Sequence, residues 1–250
     1  MRLHHTLFLI FAFILNMSCK SQKSAETSYN SGNEKFKSQD YTGAIKDYDM
    51  AIKNKSDFAE AYINRGAAKL EMGHYDGAIK GYNKAIKIKS DFFEAYVNRG
   101  IARSSMNDYK NAIQDFSKAI ELKPDNIEVY FNRAVAKYEL NDFRGAIIDY
   151  NKVLEIKSDY SDAYKNRGQA REGLKDFTGA IDDYTKLIDI QPKNGEAFSL
   201  RGVAKCKLKN IEGGCMDLSK AGEVGYFNAY ALIKKYCMGK CTTCNYQSHK

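Results

Sequence analysis

The sequence predicts an all-α chain: an α-solenoid of six helix–turn–helix repeats, followed by a C-terminal capping helix. The first observation is a fixed period, because Ala-Ile recurs every 34 residues at positions 44, 78, 112, 146 and 180, and Gly214-Cys215 takes the next such place. A period in the thirties is typical of chains that stack one small helical unit. The second observation is that small and aromatic residues recur within each period at the i, i+3, i+4 spacing of a helix face.

Each repeat is predicted to contain two antiparallel helices. The six repeats begin near Ala25, Ala59, Phe93, Ile127, Ser161 and Gly195, and repeat positions are counted from these residues. Aromatic residues fill positions 4, 17 and 24 of most repeats, and small residues fill positions 8 and 20. The small residues allow two helices to approach closely, while the aromatic rings fill the space beside them. Aspartate at position 16 of four repeats supplies turn chemistry, and the two prolines, Pro124 and Pro192, mark repeat boundaries.

This pattern resembles that of the tetratricopeptide repeat (TPR) family, which has aromatic residues at positions 4, 17 and 24, Gly at 8, Ala at 20 and 27, and Pro at 32. The resemblance covers about residues 25–228 and implies a right-handed α-solenoid of six TPR-like repeats. It also implies a concave groove, formed by the first helices of the repeats, that binds peptide segments or partner proteins.

The sequence departs from the family pattern at two positions, where cations replace apolar and aromatic residues. Position 7 is arginine in the last five repeats, and position 11 is Lys or Arg in all six. Position 23 is aspartate except at Gly81. We expect internal Arg–Asp pairs, since a buried arginine needs a partner. The alternative is a basic groove for anionic ligands.

Asparagine recurs at position 6 of the first five repeats. A primary amide both donates and accepts, so it can pair with the backbone of an extended peptide of any sequence. The pattern resembles the asparagine ladder in the repeat superhelix of a nucleocytoplasmic glycosyltransferase, which implies a peptide-binding role. The alternative is that asparagine is simply a soluble choice at an exposed position. The predicted peptide-binding residues are Asn30, Asn64, Asn98, Asn132 and Asn166.

The N-terminal segment differs in composition from the repeats. Residues 1–18 predict a signal peptide, because the apolar run from Thr6 to Leu15 is too short to span a bilayer. The residues up to Cys19 resemble a bacterial lipoprotein processing site, with the small Ser18 before an acylated cysteine. Residues 19–27 are then the lipidated cysteine and a flexible tether. This predicts a lipid-anchored protein of the bacterial cell envelope, on the outer membrane facing the periplasm, with secretion to the periplasm as the alternative.

The C-terminal segment combines an amphipathic stretch with cysteines. Residues 226–236 are predicted to form the capping helix, and residues 237–250 are a cysteine-containing tail. Export favours a disulfide, and a bridge between Cys215 and Cys237 would attach the cap to the last repeat. The alternatives are a tail without fixed pairing, or zinc held by Cys237, Cys241, Cys244 and His249, although this spacing matches no known zinc class.

Charge and motifs restrict the function. The net charge is +8, but the Lys and Arg residues are spread over every repeat rather than gathered in a run, and the aromatic residues are committed to packing, which argues against nucleic acid. Glu94 stands where relatives that bind acidic tails have lysine, so neutral or basic peptide segments are favoured. The chain has no catalytic motif and calls for no cofactor. We expect a non-enzymatic scaffold. The alternatives are an assembly chaperone for outer-membrane or pilus complexes, and a redox or metal-binding protein acting through the tail.

Overall fold

The computed structural model describes the backbone of residues 2–238 and the side chains of residues 20–238. Over that range the chain is helical and contains no strand, which confirms the predicted fold class. The helices are α1 (Arg2–Lys37), α2 (Tyr41–Asn54), α3 (Ala59–Glu71), α4 (Tyr75–Ile88), α5 (Phe93–Ser105), α6 (Tyr109–Leu122), α7 (Ile127–Glu139), α8 (Phe143–Ile156), α9 (Ser161–Gly173), α10 (Phe177–Ile190), α11 (Gly195–Lys207), α12 (Ile211–Glu223) and α13 (Ala229–Tyr236).

The helices form two compact units. The N-terminal unit extends to Pro124 and contains the first three repeats, and the C-terminal unit starts at Asp125 and contains the last three repeats and the cap. Within each unit, every helix packs against the next helix of the chain. Each unit is therefore a stack of helical hairpins, as the 34-residue period predicts.

The turn inside each repeat has the same geometry throughout. The residue at position 15 adopts a positive φ, between 60° and 73°, whether it is Gly73 or a residue with a side chain such as Lys175. Position 16 then caps the second helix; the Oδ1 atoms of Asp40 and Asp142, for example, each accept a hydrogen bond of 2.9 Å from the backbone N–H three residues later. The aspartates that were predicted to form turns are therefore the N-caps of the second helices.

The core depends on contacts between glycine and aromatic rings. A Cβ atom on Gly66 would lie 2.7 Å from Cε1 of Tyr82, and one on Gly168 would lie 2.5 Å from Cε1 of Tyr184. These distances leave no room for a Cβ atom at Gly66 or Gly168 unless the ring shifts, and position 8 is otherwise occupied only by the small Ala134 of the fourth repeat, so this position limits the spacing between the two helices of a repeat. The aromatic residues at position 24 are fully buried as a result: Tyr48, Tyr82, Phe116, Tyr150 and Tyr184.

Both ends of the repeat array differ from the sequence expectation. Residues 20–27 belong to helix α1, so the prediction of a flexible tether is wrong for this segment. It contains neither Gly nor Pro, Ala25 is fully buried, and Ser21 Oγ donates to the backbone oxygen of Asn54 at 2.6 Å. The cap begins at Ala229 rather than at residue 226, because Gly225 has a φ of 90° and turns the chain first.

The predicted lipidation site, Cys19, lies outside the described side chains. Among the residues that the structure describes, no helix combines the length and apolar composition needed to cross a bilayer.

Candidate functional site

A groove of about 620 Å³ lies along the first helices of the first two repeats. Helices α1 and α3 supply most of its wall, and the ring of Tyr48 from α2 completes it. The groove offers amides, an aromatic ring and both signs of charge, which are the groups that hold a peptide backbone and its side chains. Its lining residues are Asn30, Ser31, Asn33, Glu34, Phe36, Lys37, Tyr48, Asn64 and Ala67.

A hydrogen-bond network connects the two repeats in this groove. Asn64 Nδ2 donates to Asn33 Oδ1 at 2.8 Å and to the hydroxyl of Tyr29 at 3.0 Å. The hydroxyl of Tyr48 donates to the same Asn33 oxygen at 2.9 Å. Burial raises the pKa of Tyr48 to about 12, so this phenol keeps its proton at neutral pH. The network holds the amides of Asn33 and Asn64 in fixed orientations.

The structure brings together only some of the predicted asparagines. Asn30 and Asn64 both line the groove; Asn30 is exposed, whereas Asn64 is half-buried. Asn98 lies on α5 of the same unit, while Asn132 and Asn166 lie on α7 and α9 of the C-terminal unit. Asn64 has a structural role, because its amide joins α3 to α1.

Two groove residues were not found from the sequence. Asn33 and Phe36 stand at positions 9 and 12. Position 9 carries unrelated residues in the other repeats and position 12 is aromatic again only at Tyr138, so neither position shows a period that would single it out. Their location on the same face of α1 as Asn30 is the only sequence signal that could have indicated them.

The cations at positions 7 and 11 converge on one carboxylate in the third to sixth repeats. Asp149 is an example: its side chain is 1% exposed, Arg133 Nη2 lies 2.7 Å from Oδ1 and Lys137 Nζ lies 2.7 Å from Oδ2. The equivalent Arg–Asp pairs are Arg99–Asp115 at 2.6 Å, Arg167–Asp183 at 2.5 Å and Arg201–Asp217 at 2.7 Å. These arginines thus form internal pairs, as the structural interpretation of the cations expects.

The same arginines also connect neighbouring repeats within a unit. Arg99 Nη1 donates to Asn83 Oδ1 at 2.6 Å, and Arg167 Nη1 donates to Asn151 Oδ1 at 2.7 Å. Both acceptors lie at position 25 of the preceding repeat. The guanidinium of Arg99 also lies 5.4 Å from the centre of the Tyr96 ring. Arg99 and Arg167 therefore each bind the second helix of their own repeat and the second helix of the preceding one.

Cys215 and Cys237 form a disulfide with a Cα–Cα distance of 5.8 Å, which joins α12 to the end of the cap. With its sulfur in a disulfide, Cys237 has no thiolate to offer to zinc, and Cys241, Cys244 and His249 lie outside the described residues. Cys206, which the sequence analysis did not single out, is buried on α11, and the sulfurs of the three cysteines lie within 4.8 Å of one another.

Comparisons with known proteins agree on the architecture. Models described as Tetratricopeptide repeat match residues 93–126 and 131–195, and a model described as TPR repeat matches residues 32–73 and 68–107. Together these ranges cover more than half of the chain. No curated protein sequence matches the chain.

Several solved structures are similar in fold. MamA protein shares 23% identity with a TM-score of 0.65, covering 70% of this chain and 95% of that one. YrrB, titled a TPR protein with an unusual peptide-binding site, shares 21% identity with a TM-score of 0.67, covering 75% and 97%. MamA 41-end from Desulfovibrio magneticus RS-1 shares 19% identity with a TM-score of 0.60, covering 71% and 96%.

Proposed function

Because the chain belongs to the tetratricopeptide repeat family, we propose that it is a non-enzymatic scaffold that binds peptide segments or partner proteins in the groove of its first two repeats. The observation that carries this proposal is the groove itself, where the fixed amides of Asn33 and Asn64 adjoin the exposed amide of Asn30. Amides of this kind pair with peptide N–H and C=O groups without regard to side-chain identity.

The groove suits an extended segment with few charges. Its one carboxylate, Glu34, lies 2.8 Å from the ammonium of Lys37, so the two charges of the groove compensate each other. Phe36 offers an apolar contact beside the amides. Backbone hydrogen bonds supply affinity, while Phe36 and the charged pair select the side chains of the guest. Along the groove lining itself, neutral or basic segments are the favoured partners.

Binding can be measured with the full chain on an array of extended peptides of varied sequence. Asn30→Ala should weaken the strongest interactions several-fold, because one hydrogen bond contributes about 1 kcal/mol net. Lys84→Ala is the matched control, since Lys84 is exposed on α4 and does not line the groove. If both variants lose affinity equally, or if Asn30→Ala loses none, the peptides do not bind in the groove.

We place this scaffold in the bacterial cell envelope, anchored by lipid on Cys19 with the repeats in the periplasm. The support is the apolar leader followed by Ser18-Cys19. Cys19→Ala should move the protein from the membrane fraction to the soluble fraction, whereas Lys23→Ala should not. Equal partitioning of the two variants would contradict lipidation. If the peptides retained in the groove come from outer-membrane or pilus components, the scaffold acts as an assembly chaperone.

A further inference from the structure

The second repeat differs from the others at one position of the charged ladder. Five repeats carry aspartate at position 23, and in the third to sixth repeats that carboxylate is 1–9% exposed and lies between the side chains of positions 7 and 11. In the first repeat, Asp47 is held by Ser31 at 2.6 Å and Lys35 at 2.7 Å. The second repeat keeps both cations, Arg65 and Lys69, but has Gly81 where the carboxylate should be.

The two cations of the second repeat keep the positions they have elsewhere. Lys69 Nζ lies 3.7 Å from where a Cβ atom of Gly77 would be. Its Cδ atom lies 3.1 Å from the same point, as Lys35 Cδ lies 2.9 Å from the equivalent point at Gly43 and Arg171 Cδ lies 3.0 Å from that at Gly179. Within the described side chains, Lys69 forms no ion pair. The cationic half of the site is therefore present, although the aspartate is not.

Arg65 also has a hydrogen-bond donor that nothing satisfies. Its Nε atom is buried and has no hydrogen-bond partner among the described residues, whereas the Nε atoms of Arg99 and Arg167 each donate to the aspartate of their own repeat. A buried donor without a partner destabilises the fold, so an acceptor placed beside it is favoured. This donor is the equivalent of the atom that binds the position-23 aspartate in the third and fifth repeats.

Asp49 pairs with Arg65, but it does not replace the missing carboxylate. Asp49 stands at position 25 of the first repeat and accepts from Nη1 of Arg65. In later repeats Asn83 and Asn151 accept from the same guanidinium nitrogen while Nε still binds aspartate. Asp49 is also 54% exposed, so it lies at the outer edge of the guanidinium. The Nε atom of Arg65 and the ammonium group of Lys69 therefore have no anionic partner among the described residues.

We propose that the second repeat binds an external carboxylate between Arg65 and Lys69, at the place that aspartate fills in the other repeats. Arginine binds carboxylates through two parallel N–H···O bonds, and the lysine adds a third charge-assisted bond. Two sources share this chemistry: a small free carboxylate such as formate, and the acidic side chain of a bound peptide. The free-ion form does not depend on the proposed peptide-binding function, whereas the peptide form rests on it.

The free-ion form is tested by thermal unfolding of the full chain in sodium formate and in sodium chloride of equal ionic strength. Formate should raise the melting temperature of the wild type saturably above the chloride value, because a ligand that binds only the folded state stabilises it. Gly81→Asp supplies the carboxylate internally and should abolish the rise. Gly81→Ala is the matched control, since it adds the same Cβ atom without the carboxylate and should keep the rise.

Lys69→Met should reduce the formate-dependent rise in melting temperature without abolishing it. A wild type that melts alike in the two salts, or a Gly81→Asp variant that keeps the full formate effect, overturns the proposal. Circular dichroism before heating checks that all the variants are folded. The Cβ atom at residue 81 would lie 3.0 Å from the backbone oxygen of Tyr62, so both variants at this position need a small adjustment.

The peptide form is tested with pairs of groove-binding peptides that differ only by glutamate or glutamine at one position. The wild type should prefer the glutamate peptide by about tenfold at one such position, and Gly81→Asp should remove the preference while it still binds the glutamine peptide. If the chain binds no peptide, the proposed function fails while the formate result stands. If peptides bind without any preference for glutamate, the acidic side chain is ruled out as the source.

Discussion

Arg167→Ala tests whether the charged ladder stabilises the repeats. Arg167 Nη2 lies 2.5 Å from Asp183 Oδ1, and Nη1 donates to Asn151 of the preceding repeat at 2.7 Å. The substitution leaves Asp183, whose side chain is 2% exposed, with Arg171 Nη1 at 2.9 Å as its remaining ion-pair partner. Removing one partner of a buried pair costs 3–5 kcal/mol, and the remaining cation moves the expectation to the lower end, about 3 kcal/mol.

The assay is equilibrium unfolding in urea followed by circular dichroism. Arg144→Ala is the control, because Arg144 is exposed on α8 and its removal should change the free energy of unfolding by less than about 0.5 kcal/mol. The double variant Arg167→Ala/Asp183→Ala should lose less than the sum of the two single variants, since it leaves no stranded carboxylate. A cost below about 0.5 kcal/mol for Arg167→Ala would refute the structural role of this arginine.

The cost should also depend on pH. Burial raises the pKa of Asp183 above its ordinary value, although Arg167 and Arg171 act to lower it. Removing Arg167 raises this pKa further, and a carboxyl whose folded pKa exceeds its unfolded value loses stability as the pH rises through the folded pKa. The cost of Arg167→Ala should therefore be greatest at neutral pH and should shrink as the pH falls and Asp183 takes up a proton. A cost that grows on acidification would contradict this assignment.

Three further outcomes are expected. Reduction of the disulfide, which closes a loop with a sequence separation of 22, should lower the stability of the cap and last repeat by about 3 kcal/mol, seen as faster amide hydrogen exchange in α12 and α13. Gly66→Ala should cost about 2 kcal/mol in urea unfolding because its Cβ atom meets an aromatic ring at 2.7 Å, whereas Gly77→Ala meets only a flexible lysine side chain and should be neutral or stabilising. Asn64→Ala should lower the free energy of unfolding by about 1 kcal/mol, seen as a lower melting temperature, because it removes two hydrogen bonds. Asn98→Ala loses no side-chain hydrogen bond within the described residues, so it should lower the free energy of unfolding by less than half as much.

The parts of the structure that repeat could be predicted from the sequence. The period of 34 residues locates the helices, because each residue type recurs where the same packing contact recurs, as glycine does against the ring at position 24. The joining of Cys215 to Cys237 was also expected, since one cysteine replaces a packing residue and the other ends the cap.

Features that occur once could not be predicted in this way. Asn33 has no counterpart at position 9 of the other repeats, and position 12 is aromatic again only at Tyr138, so periodicity could not mark Asn33 and Phe36 as groove residues. The segment 20–27 is polar and was expected to be flexible, but the packing of Ala25 and the hydrogen bond from Ser21 to α2 hold it in a helix. The hydrogen bond from Asn64 to Asn33 could not be predicted either, because its acceptor occurs only in the first repeat.

The central claim, that the groove holds a partner in the cell, is tested most directly by photo-crosslinking. A photoreactive residue replaces Asn30, which is exposed in the groove, and in a second strain it replaces Lys84, which is exposed on α4 outside it. The account predicts a discrete covalent adduct from position 30, identified by mass spectrometry as one extended segment of a partner, and none from position 84. An adduct from position 84 with none from position 30 would contradict the account.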